Sequence, residues 1–195
     1  SLVIKERILG RENIYLSVIV NNLALLLREL GRYKEAEALF ARNIDIAQKA
    51  RGTDHVDTAN ALLNMAALYQ DQGRLEEASG LNQRALAIFE ARGRSSADAR
   101  NQAGIIYQSQ GRYAEAEAIF RDVLTAREAR LGAGHPDVAS ALTNLAATVI
   151  SQGRYREGAP LFQRALTIQE NALPPSHPRQ AVVLDHLGIL RHEQG

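Results

Sequence analysis

Cysteine and tryptophan are absent from this 195-residue sequence, and methionine occurs once, as Met65. Without cysteine the chain forms no disulfide scaffold, no thiolate zinc site and no cysteine nucleophile. It contains no run of about 18 apolar residues, so the sequence predicts no membrane-spanning helix. Lysine and arginine number 23 and acidic residues 22, and a net charge of +1 gives no reason to expect a nucleic-acid partner.

Proline and aromatic residues are also scarce, with five prolines and 5% aromatic residues. Alanine, with 31 residues, and leucine, with 25, are abundant instead. Both residue types are strong helix formers because they lose little conformational freedom in a helix. The composition therefore predicts an all-helical protein.

Glycine recurs at a nearly fixed interval along the chain. The recurring glycines are separated by 42, 38, 42 and 42 residues, and they are Gly31, Gly73, Gly111, Gly153 and Gly195. An arginine follows each of the first four, and a glutamate stands four residues after each of them, at Glu35, Glu77, Glu115 and Glu157. Self-similarity at such a period predicts an array of stacked structural repeats.

Each repeat is predicted to contain two amphipathic helices. Leu62, Met65 and Tyr69 have the spacing that places apolar residues on one face of a first helix. The glycine then ends that helix, because the residue after a helix C-terminus often adopts the left-handed conformation that glycine tolerates best. Arginine and glutamate three residues apart, as in Arg112 and Glu115, are expected to pair on the first turn of the second helix.

The period divides the chain into a single array of helix pairs. Complete pairs are predicted at residues 15–50, 55–92, 96–131 and 136–173. Residues 1–9 are expected to be the end of a preceding second helix, and residues 177–195 the first helix of a further repeat. Because the ends carry no initiator methionine, no targeting signal and no polar caps, we expect a fragment of a longer array in a cytoplasmic protein.

These repeats resemble the tetratricopeptide repeat, in the 42-residue form of kinesin light chains and many bacterial proteins. The small residues that the family places where two helices approach match Ala24, Ala66, Gly104 and Ala146 in first helices, and Ala36, Ala78, Ala116 and Gly158 in second helices. An aromatic residue four positions further matches Phe40, Phe120 and Phe162, while Asn82 departs from the pattern. The resemblance implies an all-α, right-handed α-solenoid of stacked antiparallel helix pairs whose first helices line a concave groove. The excess of arginine over lysine, 20 to 3, favours a bacterial source.

One repeat is four residues shorter than the others, between Phe89 and Asn101. One interpretation is a shortened linker in which Ser95 or Ser96 caps the next helix. The other is a local change of superhelical pitch, or a hinge, near Gly93. The sequence leaves both open.

Nothing in the sequence indicates catalysis, a metal site or a cofactor. His55, His135 and His177 recur at equivalent linker positions, which favours a structural role such as capping or packing. His186 and His192 are six residues apart, not at the four-residue spacing that puts two ligands on one helix face. Neither a nucleophile elbow nor a phosphate-binding glycine loop occurs. We therefore expect that this protein is not an enzyme.

The main candidate for a binding site is a ladder of polar residues nine positions before each glycine, formed by Asn22, Asn64, Gln102, Asn144 and His186. Amides both donate and accept hydrogen bonds, and in peptide-binding members of the resembled family an Asn at this position holds a peptide by its backbone. Residues expected on the same faces complete the predicted site: Asn21, Leu25, Arg28, Asn60, Gln70, Asn101, Ile105 and Thr143. The alternative is that these amides bond to adjacent helices and only satisfy the seam between them.

The leading functional prediction is a non-catalytic interaction module that binds a peptide or protein segment in the concave groove. Because Arg28 is almost the only basic residue at the groove positions, a helix or extended segment of modest charge is the expected ligand, and neither nucleic acid nor a membrane is an expected partner. One alternative is an intramolecular sensor or regulatory arm fused to a protease, kinase or nucleotide hydrolase. Another is a structural scaffold that self-associates through its ends.

Overall fold

The computed structural model describes residues 13–93, 97–172, 174 and 183. Within them a short 3-10 helix, Ile14–Leu16, precedes the α-helices α1 Ser17–Glu29, α2 Tyr33–Arg51, α3 Val56–Asp71, α4 Leu75–Ala91, α5 Ala97–Ser109, α6 Tyr113–Leu131, α7 Pro136–Ser151 and α8 Tyr155–Ala172. The all-α prediction is confirmed for this part of the chain. The helices predicted at residues 1–9 and, apart from Val183, at residues 177–195 lie outside the described residues, as do the candidate caps Ser95 and Ser96.

The chain divides into two compact units, residues 1–102 and residues 103–195. The first unit holds α1 to α4 and the beginning of α5, and the second holds the rest of α5 and α6 to α8. Each unit has its own hydrophobic core.

The core of the first unit forms where small residues let neighbouring helices approach. Ala24 on α1 and Ala36 on α2 are fully buried, and the ring of Phe40 packs in the same cluster. Met65 and Leu68 from α3 complete that cluster, so the second helix pair stacks on the first. Burial of these apolar faces against one another is the main stabilising contribution in a repeat array.

The second unit repeats this arrangement with different residues. Ala116 and Phe120 on α6 pack against Leu145 and Val149 on α7, and all four are buried. At Gly104, on α5, a Cβ atom would lie only 2.7 Å from the ring of Phe120. Glycine at this position therefore lets the aromatic ring pack directly on the helix backbone.

Glycine ends the first helices, as the repeat pattern predicts. Gly31 has a φ angle of 70°, in the left-handed region. Its N–H donates to the Arg28 carbonyl at 3.0 Å, and the Arg32 N–H donates to the Leu27 carbonyl at 2.8 Å. These are the two hydrogen bonds of a Schellman motif, which satisfies carbonyl groups that the helix leaves unpaired.

Histidine side chains cap two of the first helices. The Nδ1 atoms of His55 and His135 accept hydrogen bonds from the backbone N–H groups of Asp57 and Asp137, at 3.1 Å each. The predicted structural role of these histidines is confirmed, while the equivalent His177 lies outside the described residues. Asn13 caps the short 3-10 helix that precedes α1, where its Oδ1 accepts a hydrogen bond from the Tyr15 N–H at 3.0 Å.

The arginine after each turn glycine pairs with the glutamate three residues later. The pairs are Arg32 with Glu35, Arg74 with Glu77, Arg112 with Glu115, and Arg154 with Glu157. This short-range pairing confirms the prediction from sequence. In the first of these pairs, the hydrogen bond from the arginine holds the pKa of Glu35 below its usual range.

Two of these arginines also reach the second helix of the preceding pair. In the first unit, Arg74 Nη1 lies 3.1 Å from Glu37 Oε1, and its guanidinium stacks 3.7 Å from the ring centroid of Tyr69. The Tyr69 hydroxyl donates to Glu37 Oε1 at 3.0 Å. Partial burial and this hydrogen bond together raise the pKa of Tyr69.

In the second unit the equivalent glutamate is Glu117. It accepts hydrogen bonds from Arg154 Nη1 at 2.6 Å, Gln152 Nε2 at 2.8 Å and Arg121 Nη2 at 2.7 Å. Partial burial of Glu117 opposes its ionisation, but these donors outweigh burial and lower its pKa to about 2. Each unit therefore has an arginine–glutamate pair at this position that joins the second helices of consecutive pairs. In the second unit Arg164 Nη2 and Glu128 Oε1, 2.5 Å apart, join the same two helices again.

Candidate peptide-binding groove

A cleft of about 270 Å³ lies in the first unit, between the beginnings of α1 and α3. Three residues of the predicted binding site, Asn21, Asn60 and Asn64, line it together. The remaining lining residues are Ile14, Ser17, Val18, Asn43, Asp57 and Ala61. The cleft is thus apolar in part, with several amide groups and one carboxylate on its walls.

The amides of the cleft are joined by hydrogen bonds across the helices. Asn21 Oδ1 accepts from Asn64 Nδ2 at 2.7 Å and from Asn43 Nδ2 at 3.4 Å. Asn43 is buried, and its Oδ1 accepts from the Ser17 hydroxyl at 2.6 Å. This network fixes the orientation of Asn21 and Asn64.

The same network leaves one donor and one acceptor open. An amide side chain offers a carbonyl oxygen and two N–H groups. Among the described residues, neither the Nδ2 group of Asn21 nor the Oδ1 atom of Asn64 takes part in a hydrogen bond. An N–H donor and a carbonyl acceptor on adjacent helices match the two polar groups of a peptide unit.

Further along the same unit, a second amide pair bridges α3 and α5. Gln102 Nε2 donates a short hydrogen bond to Gln70 Oε1. Arg28, the basic residue expected in the groove, forms a two-point ion pair with Asp71, with Nε to Oδ2 at 2.5 Å and Nη2 to Oδ1 at 3.1 Å. This pair neutralises the charge that Arg28 would otherwise offer to a ligand.

A family model of the tetratricopeptide repeat matches residues 15–91, 95–170 and 137–195, ranges that together cover most of the chain. The chain belongs to the tetratricopeptide repeat family. A sequence search of curated proteins finds no match. Tetratricopeptide repeats generally mediate protein–protein interactions, and the fold is typically non-catalytic.

Solved structures share this tetratricopeptide fold. BtubC (BKLC) from P. vanneervenii is 22% identical with a TM-score of 0.84, over 100% of this chain and 80% of that chain. Nearly identical TPR-like repeats of a Podosopora anserina protein described as a kinesin light chain are 22% identical with a TM-score of 0.74, over 93% of this chain and 88% of theirs. A variant of the latter is 21% identical with a TM-score of 0.75, over 93% of this chain and 87% of that chain. The predicted α-solenoid class and the resemblance to kinesin light chain repeats are confirmed.

Other predicted site residues of this tetratricopeptide array lie away from the cleft. Asn22 is exposed and does not line it. Leu25 is half-buried against the cluster that contains Phe40, and Ile105 is half-buried against the cluster that contains Phe120. His186 lies outside the described residues.

In the second unit the predicted polar positions are half-buried on α7. The Thr143 hydroxyl donates to the Ala139 carbonyl of its own helix at 2.9 Å. Asn144 is half-buried, as is Asn101 in the first unit, and each has its own interactions within the protein. Thr143 therefore offers a ligand less hydrogen-bonding capacity than Asn21 does.

Sequence reasoning missed the residues that complete the cleft. Ser17 and Val18 stand four and three residues before Asn21, so they share a helix face with it. Asn43 is a polar residue among the buried side chains of α2, with Phe40 and Ala47 before and after it. A polar side chain on an otherwise apolar stripe was the signal that could have revealed it, because buried amides are nearly always hydrogen-bonded.

Within the described residues no helix is long and apolar enough to cross a membrane. The same residues contain no group of three histidine or acidic side chains placed to share a metal ion.

Proposed function

We propose that this chain is a non-catalytic module that binds an extended peptide segment of a protein partner, and that the cleft between α1 and α3 is part of the binding surface. The observation that carries the proposal is the open donor of Asn21 beside the open acceptor of Asn64. An extended peptide presents a C=O and an N–H group along its backbone. The two amides can bind those groups without reading the side chains.

The size and lining of the cleft suit one part of a peptide. Its volume is about 270 Å³. Val18 and Ile14 provide apolar surface beside the amides. One side chain and its adjoining peptide group would occupy this space.

The fixed orientation of the amides favours binding as well. Asn64 already donates to Asn21 at 2.7 Å, and Asn43 Nδ2 donates to the same oxygen at 3.4 Å. A ligand would therefore meet groups that lose little side-chain freedom on binding, which lowers the entropic cost of association.

A displayed library of random short peptides provides the test. Peptides selected on the wild-type protein are expected to lose about tenfold or more in affinity for the double variant Asn21→Ala with Asn64→Ala, because two hydrogen bonds are removed. Fluorescence anisotropy with each labelled peptide measures the loss.

Asn22→Ala is the matched control. It changes the same residue type on the same helix, at an exposed position outside the cleft. Circular dichroism checks that all variants remain folded. If the selected peptides bind the double variant as well as the wild type, the cleft is not the peptide site.

A further inference from the structure

The cleft between α1 and α3 contains one charged residue. Of the described side chains that line it, Asp57 is the one that carries a charge, and the rest are apolar, hydroxyl or amide groups. Its carboxylate is about half-exposed, with 45% of the side chain accessible. The electrostatic preference of the cleft for a ligand therefore depends mainly on this carboxylate.

The side-chain partners of Asp57 within the protein pair with it only weakly. His55 Nδ1 lies 3.4 Å from Asp57 Oδ2, but that nitrogen accepts a hydrogen bond from the Asp57 N–H and does not donate to the carboxylate. Arg51 Nε is 3.8 Å from Oδ2, and both side chains are about half-exposed, so this pair is weak.

Asp71, on the same helix, shows the contrasting case. Arg28 holds its carboxylate at two points, at 2.5 and 3.1 Å. A two-point arginine–carboxylate pair fixes the geometry of both groups. The carboxylate of Asp71 is thus already paired with an arginine, whereas the carboxylate of Asp57 can pair with a cation of the ligand.

The surface beside Asp57 suits a long basic side chain. Val18 is 66% exposed, and the half-buried Ile14 adds apolar surface to the same cleft. Lysine and arginine pack their methylene stems on apolar surface while the charged head remains in a polar environment. A stem lying on Val18 and Ile14 would place its head in the same cleft as the carboxylate.

We propose that the peptide bound in this cleft carries a lysine or arginine whose charged head pairs with Asp57. The inference rests on the proposed function, since the amides of Asn21 and Asn64 would hold the backbone on either side of that residue. The amides would then bind the peptide backbone whatever its sequence, and Asp57 would select for a basic residue at one position.

Selection from the same random peptide library tests this inference. Peptides recovered on the wild-type protein are expected to be enriched in lysine or arginine at one position, and selection on Asp57→Asn is expected to lose that enrichment. Asp137→Asn is the matched control, because His135 caps Asp137 at the same 3.1 Å in the other unit, away from this cleft.

A double-mutant cycle measures the pair directly. Replacing the selected lysine or arginine by methionine is expected to weaken binding to the wild type about two- to fivefold, the range of a half-exposed ion pair, and to have no effect on binding to Asp57→Asn. The wild-type affinity is also expected to fall as salt is raised, because exposed charges are screened. The affinity of Asp57→Asn should respond less to salt.

The outcomes separate the two proposals. Enrichment of acidic or neutral residues, or basic enrichment that persists in Asp57→Asn, overturns the ion-pair inference and leaves peptide binding intact. Failure to select any peptide, or selected peptides that bind equally well to the Asn21→Ala, Asn64→Ala protein, overturns the proposed function and this inference with it.

Discussion

Two second helices, α4 in the first unit and α6 in the second, fill one repeat position with side chains of different chemistry. In the second unit Phe120 fills this position on α6 with a fully buried aromatic ring, whereas in the first unit Asn82 fills it on α4. Asn82 is equally buried, and its Nδ2 donates to the carbonyl of Ala99 on α5 at 3.1 Å. The same position thus holds a buried aromatic ring on α2, α6 and α8, at Phe40, Phe120 and Phe162, and on α4 an amide that is hydrogen-bonded to the neighbouring helix.

A second difference concerns the glutamates that join consecutive pairs. Glu117 receives three side-chain donors and is 13% exposed, while Glu37 receives Arg74 and Tyr69 and is 34% exposed. The number of donors and the degree of burial both strengthen an ion pair. We therefore expect stability to depend more on Glu117 than on Glu37, and more on the Phe120 ring than on the Asn82 amide.

The largest effect is expected from Phe120→Ala. Removing a fully buried aromatic ring costs about 3–5 kcal/mol of unfolding free energy, because transfer energy is lost and a cavity remains. Asn82→Ala should cost less, about 1–2 kcal/mol, from the lost hydrogen bond to Ala99. Urea unfolding followed by circular dichroism measures both, with the exposed Ala87→Ser as a control. Equal losses at the two positions would contradict the contrast between volume and hydrogen bonding.

An intermediate effect is expected from Glu117→Gln. The neutral amide keeps the shape of the side chain but weakens the hydrogen bonds from Arg154 and Arg121, at a cost of about 1–2 kcal/mol. Glu37→Gln is the matched change in the first unit and should cost less than about 1 kcal/mol, because that pair is more exposed. Thermal and urea unfolding at neutral pH compare the two variants.

Acid should erase the difference between Glu117→Gln and the wild type. The pKa of Glu117 in the folded chain is about 2, below its ordinary value of 4.5. Because the folded state binds a proton less readily than the unfolded state, the stabilisation is fully present above about pH 4.5 and is lost as pH falls toward about 2. Unfolding curves measured across that interval should converge. A gap that stays constant down to pH 2 would show that the charge of Glu117 does not contribute.

The smallest effect is expected from Asn144→Ala in the second unit, measured as a loss of affinity for the selected peptides. Asn144 is half-buried and makes its own interactions in the protein, and the neighbouring Thr143 hydroxyl is bonded to its own helix. Asn144→Ala should therefore weaken binding of the selected peptides less than about twofold, while Asn64→Ala alone weakens it about two- to tenfold. Equal losses would mean that both units offer equivalent amides to the ligand.

Features that depend on short sequence separations were predictable. The turn at Gly31 and the pairing of Arg32 with Glu35 follow from neighbouring residues, and the repeat period makes each of them visible several times. The alanines that looked like general helix formers are the residues that let helices approach, as at Ala24 and Ala36.

Contacts between repeats were harder to predict. Glu37 and Arg74 are 37 residues apart, and Asn21 and Asn64 are 43 residues apart, so no local sequence pattern predicts these two contacts. The ladder position on α1 is Asn22, but the side chain that meets Asn64 is Asn21. One residue turns a side chain by about 100° around a helix, and the sequence period does not specify which face each helix turns toward its neighbour.

The position of Asp57 has a consequence for how such an array can acquire new partners. Its backbone N–H donates to the capping nitrogen of His55, which the N–H of any residue except proline can do. The equivalent residues are Tyr15 in the 3-10 helix before α1 and Asp137 in α7. The side chain there is exposed or half-exposed and takes no part in the core. Mutation at this position is therefore under little constraint from folding. Under the proposed function, a single codon change at this position alters the ligand preference of the cleft, while the buried alanines and aromatic rings keep the scaffold unchanged.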